Sequence, residues 1–366
     1  MGIFSRNKPT VLEAQYAPQV MGENLPSLYN AIIPRVSRHD AMTVPSVARA
    51  RNLICGTVAS IPLEYYNKRT GEVMAAPRWI NQLSKSQPSF VTITWIVDSL
   101  MMYGVSYLLV TERYAEDGRP SAFEWIANTR VTFTTDLYGI HVTQYYIDAS
   151  PIDMNDIVTI QGFDEGVLDR GGRTIQAAID VDRAAAVNSA NPQPAGFLKN
   201  SGADLPASEV QGLIAAWKRA RQNNSTAYLT STLDYNPVSF SPKDMMYNEA
   251  VQNLSTQIAR VCNVPAYYLS ADQNTTMTYA NVQDERKQFY ALSIEPYIQA
   301  IQSRLSMDDI STAGHEVRFA VFDTFLKNDP LVELQVIEKM LSLQLISVEQ
   351  AMKMTDLTPN GSEGMS

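Results

Sequence analysis

The sequence predicts an α+β protein with more than one lobe, and three observations support this prediction. Between residues 63 and 160, short segments rich in β-branched and aromatic residues alternate with turn residues, which is typical of antiparallel strands. Residues 174–190 and 244–262 instead carry apolar side chains at helical spacing. The length of 366 residues suggests two or three lobes, and a charged fraction of 18% leaves apolar surface for contacts between subunits.

The formal net charge of −9 limits how the protein can bind nucleic acid. Proteins that grip DNA gain affinity from clustered lysines and arginines that neutralise phosphates. An acidic or weakly charged surface repels phosphate, so a duplex beside it slides instead of binding firmly. If DNA is a partner, we expect that it is not held tightly.

The first elements follow an irregular, proline-containing stretch, and we expect residues 1–40 to form a flexible arm. Apolar residues at helical spacing predict a helix over residues 46–59. Pro62 then interrupts the pattern, and residues 63–66 predict a strand that is closed by Thr70-Gly71. The local prediction is therefore a helix followed by a hairpin.

Residues 92–110 are apolar enough to raise the question of a membrane span. Asp98 lies near the middle of this stretch and Gly104 divides it, which argues against a span. We predict instead a helix over residues 92–103 and a strand over residues 106–110.

An antiparallel sheet is predicted to continue from this strand. A turn at residues 116–119 leads to the partner strand. Alternating patterns return at residues 130–133, 142–146 and 157–160, which we predict to be further strands of one sheet.

The chain changes character after Gly171-Gly172. Residues 174–190 are rich in alanine, and such small side chains suit close packing between helices of neighbouring subunits. A short module follows, with a helix ending near Gln222 and strands predicted at residues 228–229 and 238–240.

The helix of this module carries basic side chains near its end: Lys218, Arg219 and Arg221. One interpretation is a solvated helix face, with positive charge placed favourably near the C-terminus of the helix. The other is a docking patch for an acidic partner.

The C-terminal part is mainly helical. A polar run at residues 270–276 is too hydrophilic for a core, and it separates two long helical patterns. The elements predicted for this part are helices over residues 244–262, 279–305, 330–343 and 347–354 and a strand over residues 317–322.

The sequence shows no pattern that indicates catalysis. Residues 166–172 have glycines but lack the lysine and hydroxyl of a phosphate-binding loop. The three histidines are scattered, so a zinc site has no support: His39, His141 and His315. Carboxylate pairs such as Asp180 with Asp182 are expected to be solvated. We therefore predict no enzymatic activity, no metal and no cofactor.

Cysteine usage and the N-terminus indicate an intracellular product. Cys55 and Cys262 lie within apolar helical patterns, so we expect them to be buried as small hydrophobic residues and not to form a disulfide. The first residues lack the apolar segment and cleavage site of a secretory signal.

Seven short segments stand in a fixed order between residues 40 and 358. They are Ala50-Arg51-Asn52-Leu53-Ile54-Cys55 leading to Ala59-Ser60-Ile61-Pro62-Leu63, Tyr103-Gly104-Val105-Ser106-Tyr107-Leu108, Asn191-Pro192-Gln193-Pro194-Ala195-Gly196-Phe197-Leu198, Gln257-Ile258-Ala259-Arg260-Val261-Cys262-Asn263-Val264-Pro265-Ala266-Tyr267-Tyr268-Leu269, Thr278-Tyr279-Ala280-Asn281-Val282-Gln283, Glu295-Pro296 and Phe322-Asp323. Each segment is weak alone, but together they resemble the portal proteins of HK97-like tailed bacteriophages.

The most specific segment, residues 257–269, is similar to the family pattern I-A-R-x-F-G-V-P-P-x-L-L. Asn263 stands where that pattern has Gly, and Ala266 replaces the second Pro. Val105-Ser106 likewise stands where the family has Asn-Ala. These departures mark a divergent member and bear on how the helix before Asn263 ends.

The resemblance implies a portal fold with a wing of helices and antiparallel strands, a two-helix stem, a small α/β clip and a helical crown, assembled as a ring of about twelve subunits. The implied parts are a flexible N-terminal arm (1–40), the first part of the wing (41–170), stem helix 1 (171–191), the clip (192–241), stem helix 2 (242–263), the tunnel loop region (264–281), the long helix and strand of the wing (282–327), the crown (328–358) and a flexible tail (359–366).

The resemblance also implies a function. A portal ring occupies one capsid vertex, is the channel for DNA packaging and ejection, and is the docking site for the terminase motor and the head–tail connector. The implied partners are other copies of the chain, double-stranded DNA, the terminase large subunit, the head–tail adaptor and the major capsid protein, with no membrane. The implied location is the virion, at the portal vertex between head and tail, with assembly in the host cytoplasm.

Two sets of site residues follow from the same resemblance. The tunnel loop residues expected to contact DNA are Asp272, Gln273, Asn274, Thr275 and Thr276. The clip residues expected to dock to the motor or adaptor are Lys218, Arg219 and Arg221, for which a solvated face remains the alternative. Amide and hydroxyl groups can exchange hydrogen bonds with phosphates and water without the strong attraction that a lysine would exert.

Other functions remain open at this point. The chain could be an oligomeric head-morphogenesis or connector protein that is not a portal, a cytoplasmic enzyme with a site built from distant residues, or a monomeric binding module. Oligomeric state discriminates among these classes, because a portal requires its small-residue helices to pack against neighbouring subunits.

Overall fold

The protein is an α+β structure, as the sequence predicts, and the computed structural model describes residues 10–11, 36–136, 141–190, 196–200, 202, 206–222, 233–237, 247–269, 285–321, 325 and 330–354. The helices are α1 (Arg38–Thr43), α2 (Pro45–Ala59), α3 (Arg78–Asn81), α4 (Ser89–Tyr103), α5 (Val167–Arg170), α6 (Gly172–Ala190), α7 (Ala207–Gln222), α8 (Tyr247–Val261), α9 (Glu295–Leu305), α10 (Pro330–Ser342) and α11 (Val348–Met354). Residues 285–289 are also helical and continue through a π-helical turn, Tyr290–Ile294, into α9.

The strands form small antiparallel sheets. They are β1 (Thr10–Val11), β2 (Leu63–Asn67), β3 (Val105–Arg113), β4 (Pro120–Ile126), β5 (Val131–Thr135), β6 (Val142–Ile147), β7 (Ser150–Ile152), β8 (Ile157–Gln161), β9 (Gly196–Asn200), β10 (Leu233–Pro237) and β11 (His315–Phe319). Within the described ranges the strand orders are β1-β5-β6-β7, β4-β3-β8, β2-β11 and β9-β10.

The main hydrophobic core surrounds α4. Ile54 and Val58 of α2 pack against the face of α4 that carries Ile96 and Leu100, and all four side chains are almost fully buried. Ile298 of α9 joins the same cluster. Because complete burial of such a side chain contributes about 1.5–3 kcal/mol, this contact holds α2, α4 and α9 as one body.

A carboxylate lies inside this core. The Asp98 side chain is 2% exposed and accepts two hydrogen bonds from Arg38, at 2.8 and 2.9 Å, and one from Nε of Arg51, at 2.7 Å. The two guanidinium groups lie 5.1 and 5.5 Å from the centre of the Trp95 ring. The hydrogen bond to Asp98 holds the pKa of Arg38 above its usual value. Asp98 therefore joins α1 and α2 to α4, which explains a charge in the middle of an apolar helix.

α4 ends at a glycine that no other residue can replace without strain. Gly104 has φ +74°, and its N–H donates to Leu100 O at 3.0 Å. A Cβ added to Gly104 would lie 2.2 Å from the carbonyl oxygen of Asp164. Both the left-handed conformation and the close backbone contact therefore require glycine.

The structure divides the predicted single sheet into two. β3 pairs with β4 and β8, whereas β5 pairs with β6 and with β1. A 3₁₀ turn, Asn128–Arg130, separates the sheets, and the buried Asn128 side chain donates to Val105 O at 2.6 Å. Tyr107, Phe133 and Tyr145 form an apolar cluster between the sheets. The prediction of one continuous sheet is wrong, because this turn redirects the chain to bury a second apolar face.

The hairpin predicted after residue 66 is confirmed only as a short one. The residues directly after β2 fold back on it through a bridge between Tyr66 and Val73 and a hydrogen bond from Met74 N to Tyr65 O at 2.7 Å. The main partner of β2 is β11, from Asn67 opposite His315 to Leu63 opposite Phe319. The partner is set by burial of Val317 and Phe319 in the main core, which local sequence does not reveal.

Within the small module after α6, the strands differ from the prediction. β10 lies at Leu233–Pro237 and pairs with β9. The strands predicted at residues 228–229 and 238–240 lie outside the described residues.

Most predicted helices are confirmed within a few residues: α2, α4, α6, α8, α10 and α11. The predicted helix over residues 279–305 is confirmed from residue 285, although a π-helical turn interrupts it. The arm predicted over residues 1–40 is wrong at its end, because α1 begins at Arg38 and Ser37 Oγ accepts a hydrogen bond from Asp40 N at 3.1 Å.

Among the described helices, none combines the length and the apolar character needed to cross a bilayer. Cys55 and Cys262 are buried free thiols, as predicted.

Replacing Asp98 with asparagine should destabilise the protein, because the partly buried Arg38 and Arg51 would lose the countercharge that they share. We expect the free energy of unfolding to fall by about 3 kcal/mol. The matched control is Asp156→Asn, which removes a pair with Arg113 whose side chains are 45% and 35% exposed and should cost less than about 1 kcal/mol. Urea denaturation followed by tryptophan fluorescence measures both variants, and equal effects would contradict the role assigned to Asp98.

Candidate functional site

Two helices pair at the edge of the main core. α6 packs along α8, and the start of α6 lies against the end of α8 because Gly171 contacts Val261. The two helices are therefore antiparallel. Ile175 of α6 and Ile258 of α8 are buried near this end and anchor the pair to the core.

Gly171 permits the close approach of the two helices. A Cβ at this position would lie 2.5 Å from Cγ1 of Val261 and 2.8 Å from Val167 O. A Cβ on the neighbouring Gly172 would meet no atom within 4 Å. Adjacent glycines thus differ in function, since only the first is constrained by a contact.

Arg170 holds the same junction by charge. One guanidinium nitrogen donates to Val261 O at 2.9 Å and lies 2.9 Å from Oδ2 of Asp164. Val261 is the last residue of α8, where carbonyl groups lack helical partners and a cation is favoured. Arg170 therefore links the end of α8 to the loop that precedes α5.

That loop is fastened to the end of α4 by backbone contacts. Gly162 N donates to Gly104 O at 2.7 Å, and a Cβ on Gly166 would lie 2.5 Å from Met102 O. Oδ1 of Asp164 accepts from Gly166 N at 2.8 Å, which fixes the carboxylate that Arg170 contacts. The paired helices are thus connected through Asp164 and Arg170 to the helix that contains Asp98.

At the end of α8 the chain turns through Asn263. This residue has φ +53°, and the next amide, Val264 N, donates to Ala259 O at 2.9 Å. Asparagine tolerates the left-handed region better than other side-chain-bearing residues. Asn263 thus adopts the left-handed conformation that a glycine would adopt at this helix end, and a 3₁₀ turn beginning at Ala266 follows it.

The outer surface of the pair combines exposed apolar side chains with balanced charge. Val187 of α6 and Val251 of α8 are 57% and 47% exposed. Asp180 lies 3.9 Å from Arg183 and accepts from Gln176 at 3.0 Å. The charged residues of the two helices are equal in number for each sign: Arg173, Arg183 and Arg260 against Asp180, Asp182 and Glu249. Such a surface has no excess of cations to retain phosphate.

The tunnel loop residues predicted to contact DNA lie outside the described residues: Asp272, Gln273, Asn274, Thr275 and Thr276. The described residues on either side of them are close together. The rings of Tyr268 and Phe289 are 4.8 Å apart, and that of Tyr267 lies 4.6 Å from Tyr268. Burial, together with Tyr268 and Glu285, raises the pKa of Tyr267, which keeps this phenol neutral.

The basic residues predicted for the clip lie in the last two turns of α7: Lys218, Arg219 and Arg221. Arg219 is exposed. The three residues lie within four consecutive positions at the C-terminal end of the helix, and this position fits both interpretations of their role.

The described residues contain no group of histidine, cysteine and carboxylate side chains arranged to hold a metal ion. Burial raises the pKa of Cys55 and of Cys262 to about 12. Both thiols are therefore protonated near neutral pH and are poor nucleophiles.

The sequence alone gives no role to Asp164 or Arg170, although both contact the junction. Glycines at 162, 166 and 171 are consistent with close backbone contacts, but the residues they contact on α4 and α8 are distant in sequence.

The contrast between Gly171 and Gly172 gives a test of the junction. Gly171→Ala should separate α6 from α8 and cost about 1–3 kcal/mol, because a methyl group would overlap Val261. Gly172→Ala meets no neighbouring atom and should stabilise the helix by about 0.5–1 kcal/mol. Thermal unfolding of the two variants at one protein concentration measures the difference. The same sign of effect for both would contradict this account.

The comparisons of this chain with known proteins all point to one family. The family model described as phage portal protein matches residues 45–356. A probable portal protein of Streptomyces phage phiC31 is 22% identical over 379 residues, which covers 91% of this chain and 80% of that protein.

Solved structures share the fold. The crystal structure of an HK97 family phage portal protein from Corynebacterium diphtheriae has a TM-score of 0.66 at 23% identity, covering 79% of this chain and 98% of that chain. A chain in the neck of a native gene transfer agent particle, computed with C12 symmetry, has a TM-score of 0.57 at 19% identity, covering 88% of this chain and 95% of that one. With the family model matching most of its length, this chain belongs to the phage portal protein family.

Proposed function

We propose that this protein is one subunit of a twelve-membered ring at a capsid vertex, through which DNA enters the head during packaging and leaves during ejection. The observation that carries the proposal is the portal family match over residues 45–356. The C12 symmetry used for the particle neck that contains a similar fold supports the number of subunits.

The paired helices α6 and α8 are proposed to be the stem that lines the channel. Their exposed Val187 and Val251 suit contacts with neighbouring subunits, since apolar side chains on a solvated helix gain free energy when covered. Their equal numbers of acidic and basic residues suit a wall along which DNA moves. The wing would then comprise residues 41–170 together with residues 282–327, which include α9 and β11. Residues 192–241 would form the clip, and residues 328–358, which include α10 and α11, would form the crown.

We place the DNA contact of the channel at Asp272, Gln273, Asn274, Thr275 and Thr276. The support is their composition and their position in the chain between Leu269 and Glu285, close to the end of α8. Amide and hydroxyl groups form exchangeable hydrogen bonds with phosphates, whereas a row of lysines would hold the duplex in place.

The end of α7 is proposed to dock first to the terminase large subunit and later to the head–tail adaptor, through Lys218, Arg219 and Arg221. The exposed position of Arg219 supports this assignment. The wing would face the major capsid protein. We propose that the chain has no enzymatic activity of its own and that the motor supplies ATP hydrolysis. The ring would assemble in the host cytoplasm and remain in the virion.

The first test is the oligomeric state of the purified protein. We expect electron microscopy to show rings with a central hole, and native mass spectrometry of the same sample to give about twelve subunits. A monomer that persists at micromolar concentration and across salt concentrations would contradict the proposal. Rings whose central hole is lined by α7 instead of α6 and α8 would overturn the assignment of the stem.

Two sets of substitutions should separate the channel from the docking surface. Asn274→Ala combined with Thr275→Ala should leave docking intact but change the amount of DNA packaged or retained, because the DNA contact is altered. Reversing the charges of Lys218, Arg219 and Arg221 to glutamate should prevent DNA from entering at all, because the motor no longer docks. Packaged DNA is measured by nuclease protection in particles assembled with each variant.

The matched control for charge reversal is Lys68→Glu with Arg69→Glu, in the exposed turn directly after β2. This control should package DNA normally. Normal packaging and retention of DNA by the alanine variant would contradict the assignment of residues 272–276 to the channel. Normal packaging by the glutamate variant would contradict docking through α7 and would favour the solvated-face interpretation.

A further inference from the structure

We propose that Asn263 is a positioning residue that fixes the direction of α8, through a clasp formed by Asn263, Leu292, Ser293 and Pro296. The consequence for the channel rests on the proposed function, in which α8 lines the wall. The clasp itself is a property of the single chain.

The backbone of Asn263 sets the first half of the clasp. With φ +53°, this residue stops α8, and its N–H donates to Arg260 O at 3.2 Å. Glycine would meet the same backbone requirement, so conformation alone does not explain an asparagine here.

The side chain supplies the second half. Nδ2 of Asn263 donates to the carbonyl oxygen of Leu292, in the π-helical turn. The regular α-helical bond to that carbonyl would come from the residue four positions later, but this residue is Pro296, which has no N–H. In the π-helical turn the bonds run to the fifth residue instead, as from Glu295 N to Tyr290 O, and the amide of Asn263 adds a side-chain donor to Leu292 O.

A return hydrogen bond completes the clasp. Ser293 is 1% exposed, and its Oγ donates to the carbonyl oxygen of Asn263. Asn263 therefore donates to one residue of the π-helical turn and accepts from the next. Two bonds in opposite directions restrict rotation of the end of α8 more than one bond would.

The clasp connects α8 to the main core. Ile294, directly after Ser293, is fully buried, and Tyr297 and Ile298 of α9 are buried beside it. On its other side α8 holds α6, through Val261 with Arg170 and Gly171. A change in the angle at Asn263 would therefore move both paired helices relative to the core.

The alternative is that Asn263 serves only to end the helix. Asn263→Gly separates the two roles, because glycine adopts the left-handed conformation but cannot donate from a side chain. Pro296→Ala acts on the other partner, since the N–H of alanine can compete with the Asn263 amide for the carbonyl oxygen of Leu292. The two substitutions weaken the same interaction, so their effects should not add.

The experiment measures the direction of α8 in the full chain. Nitroxide labels are attached to cysteines replacing the exposed Gln257 of α8 and Gln299 of α9, and labelled chains are diluted with unlabelled ones so that pulsed EPR reports distances within one chain. Cys55 and Cys262 are buried and should remain unlabelled, which the parent protein verifies.

We expect a narrow distance distribution for the parent, a broader or shifted one for Asn263→Gly and for Pro296→Ala, and no further change in the double variant. Thr256→Ala, which removes a hydrogen bond within α8, should match the parent. If Asn263→Gly and Pro296→Ala both keep the parent distribution, the clasp does not position α8 and the inference is overturned.

Failure of the clasp and failure of the proposed function give different results. Ring formation by the parent protein tests the function and does not depend on the clasp. The distance distribution tests the clasp in each chain, whether or not that chain is part of a ring.

Discussion

The packing of α1 and α2 against α4 depends on one buried carboxylate. Asp98 lies in the apolar helix α4 and is tolerated there only because Arg38 and Arg51 converge on it from two other helices. This requirement fixes how α1 and α2 lie against α4, and Trp95 stacks with both cations to shield the group. A hydrophobic residue at this position would pack α4 equally well but would not specify which helices surround it.

The direction of the paired helices follows from α4 through a series of close backbone contacts. α4 ends at Gly104, whose surroundings admit no side chain, and the loop that packs there carries Asp164. Asp164 binds Arg170, and Arg170 binds the last carbonyl of α8. Each step is a short contact between groups that cannot shift far without losing a hydrogen bond or overlapping atoms. The orientation of α6 and α8 is therefore determined by the core, although most of their surface lies outside it.

Sequence alone predicts the elements that depend on local periodicity. The helices α2, α4, α6 and α8 follow from apolar spacing and from proline or glycine at their ends, and the family resemblance follows from the order of short segments. The pairing of β2 with β11 could not be predicted, because the two strands are far apart in the chain, β2 ending at Asn67 and β11 beginning at His315, and both are chosen by burial. Arg170 looks ordinary in sequence, and Asn263 stands out only as a replacement of the family glycine. Their partners Asp164, Val261 and Leu292 meet them only after folding. The residues at 272–276 were identified by family position, and their role as a DNA contact is still a prediction.

A channel for DNA imposes two requirements, which the paired helices would meet in different ways in the proposed stem. The wall must not bind phosphate strongly, and the equal numbers of arginines and carboxylates on α6 and α8 would meet this requirement without making the proposed wall apolar. The wall must also keep its position while a stiff polymer moves past it, and charge balance contributes nothing to that. Rigidity has to come from the ends of the helices, where Gly171, Arg170 and Asn263 connect them to the core. Weak attraction along the length of the helices and strong fixation at one end are therefore compatible, because they reside in different residues.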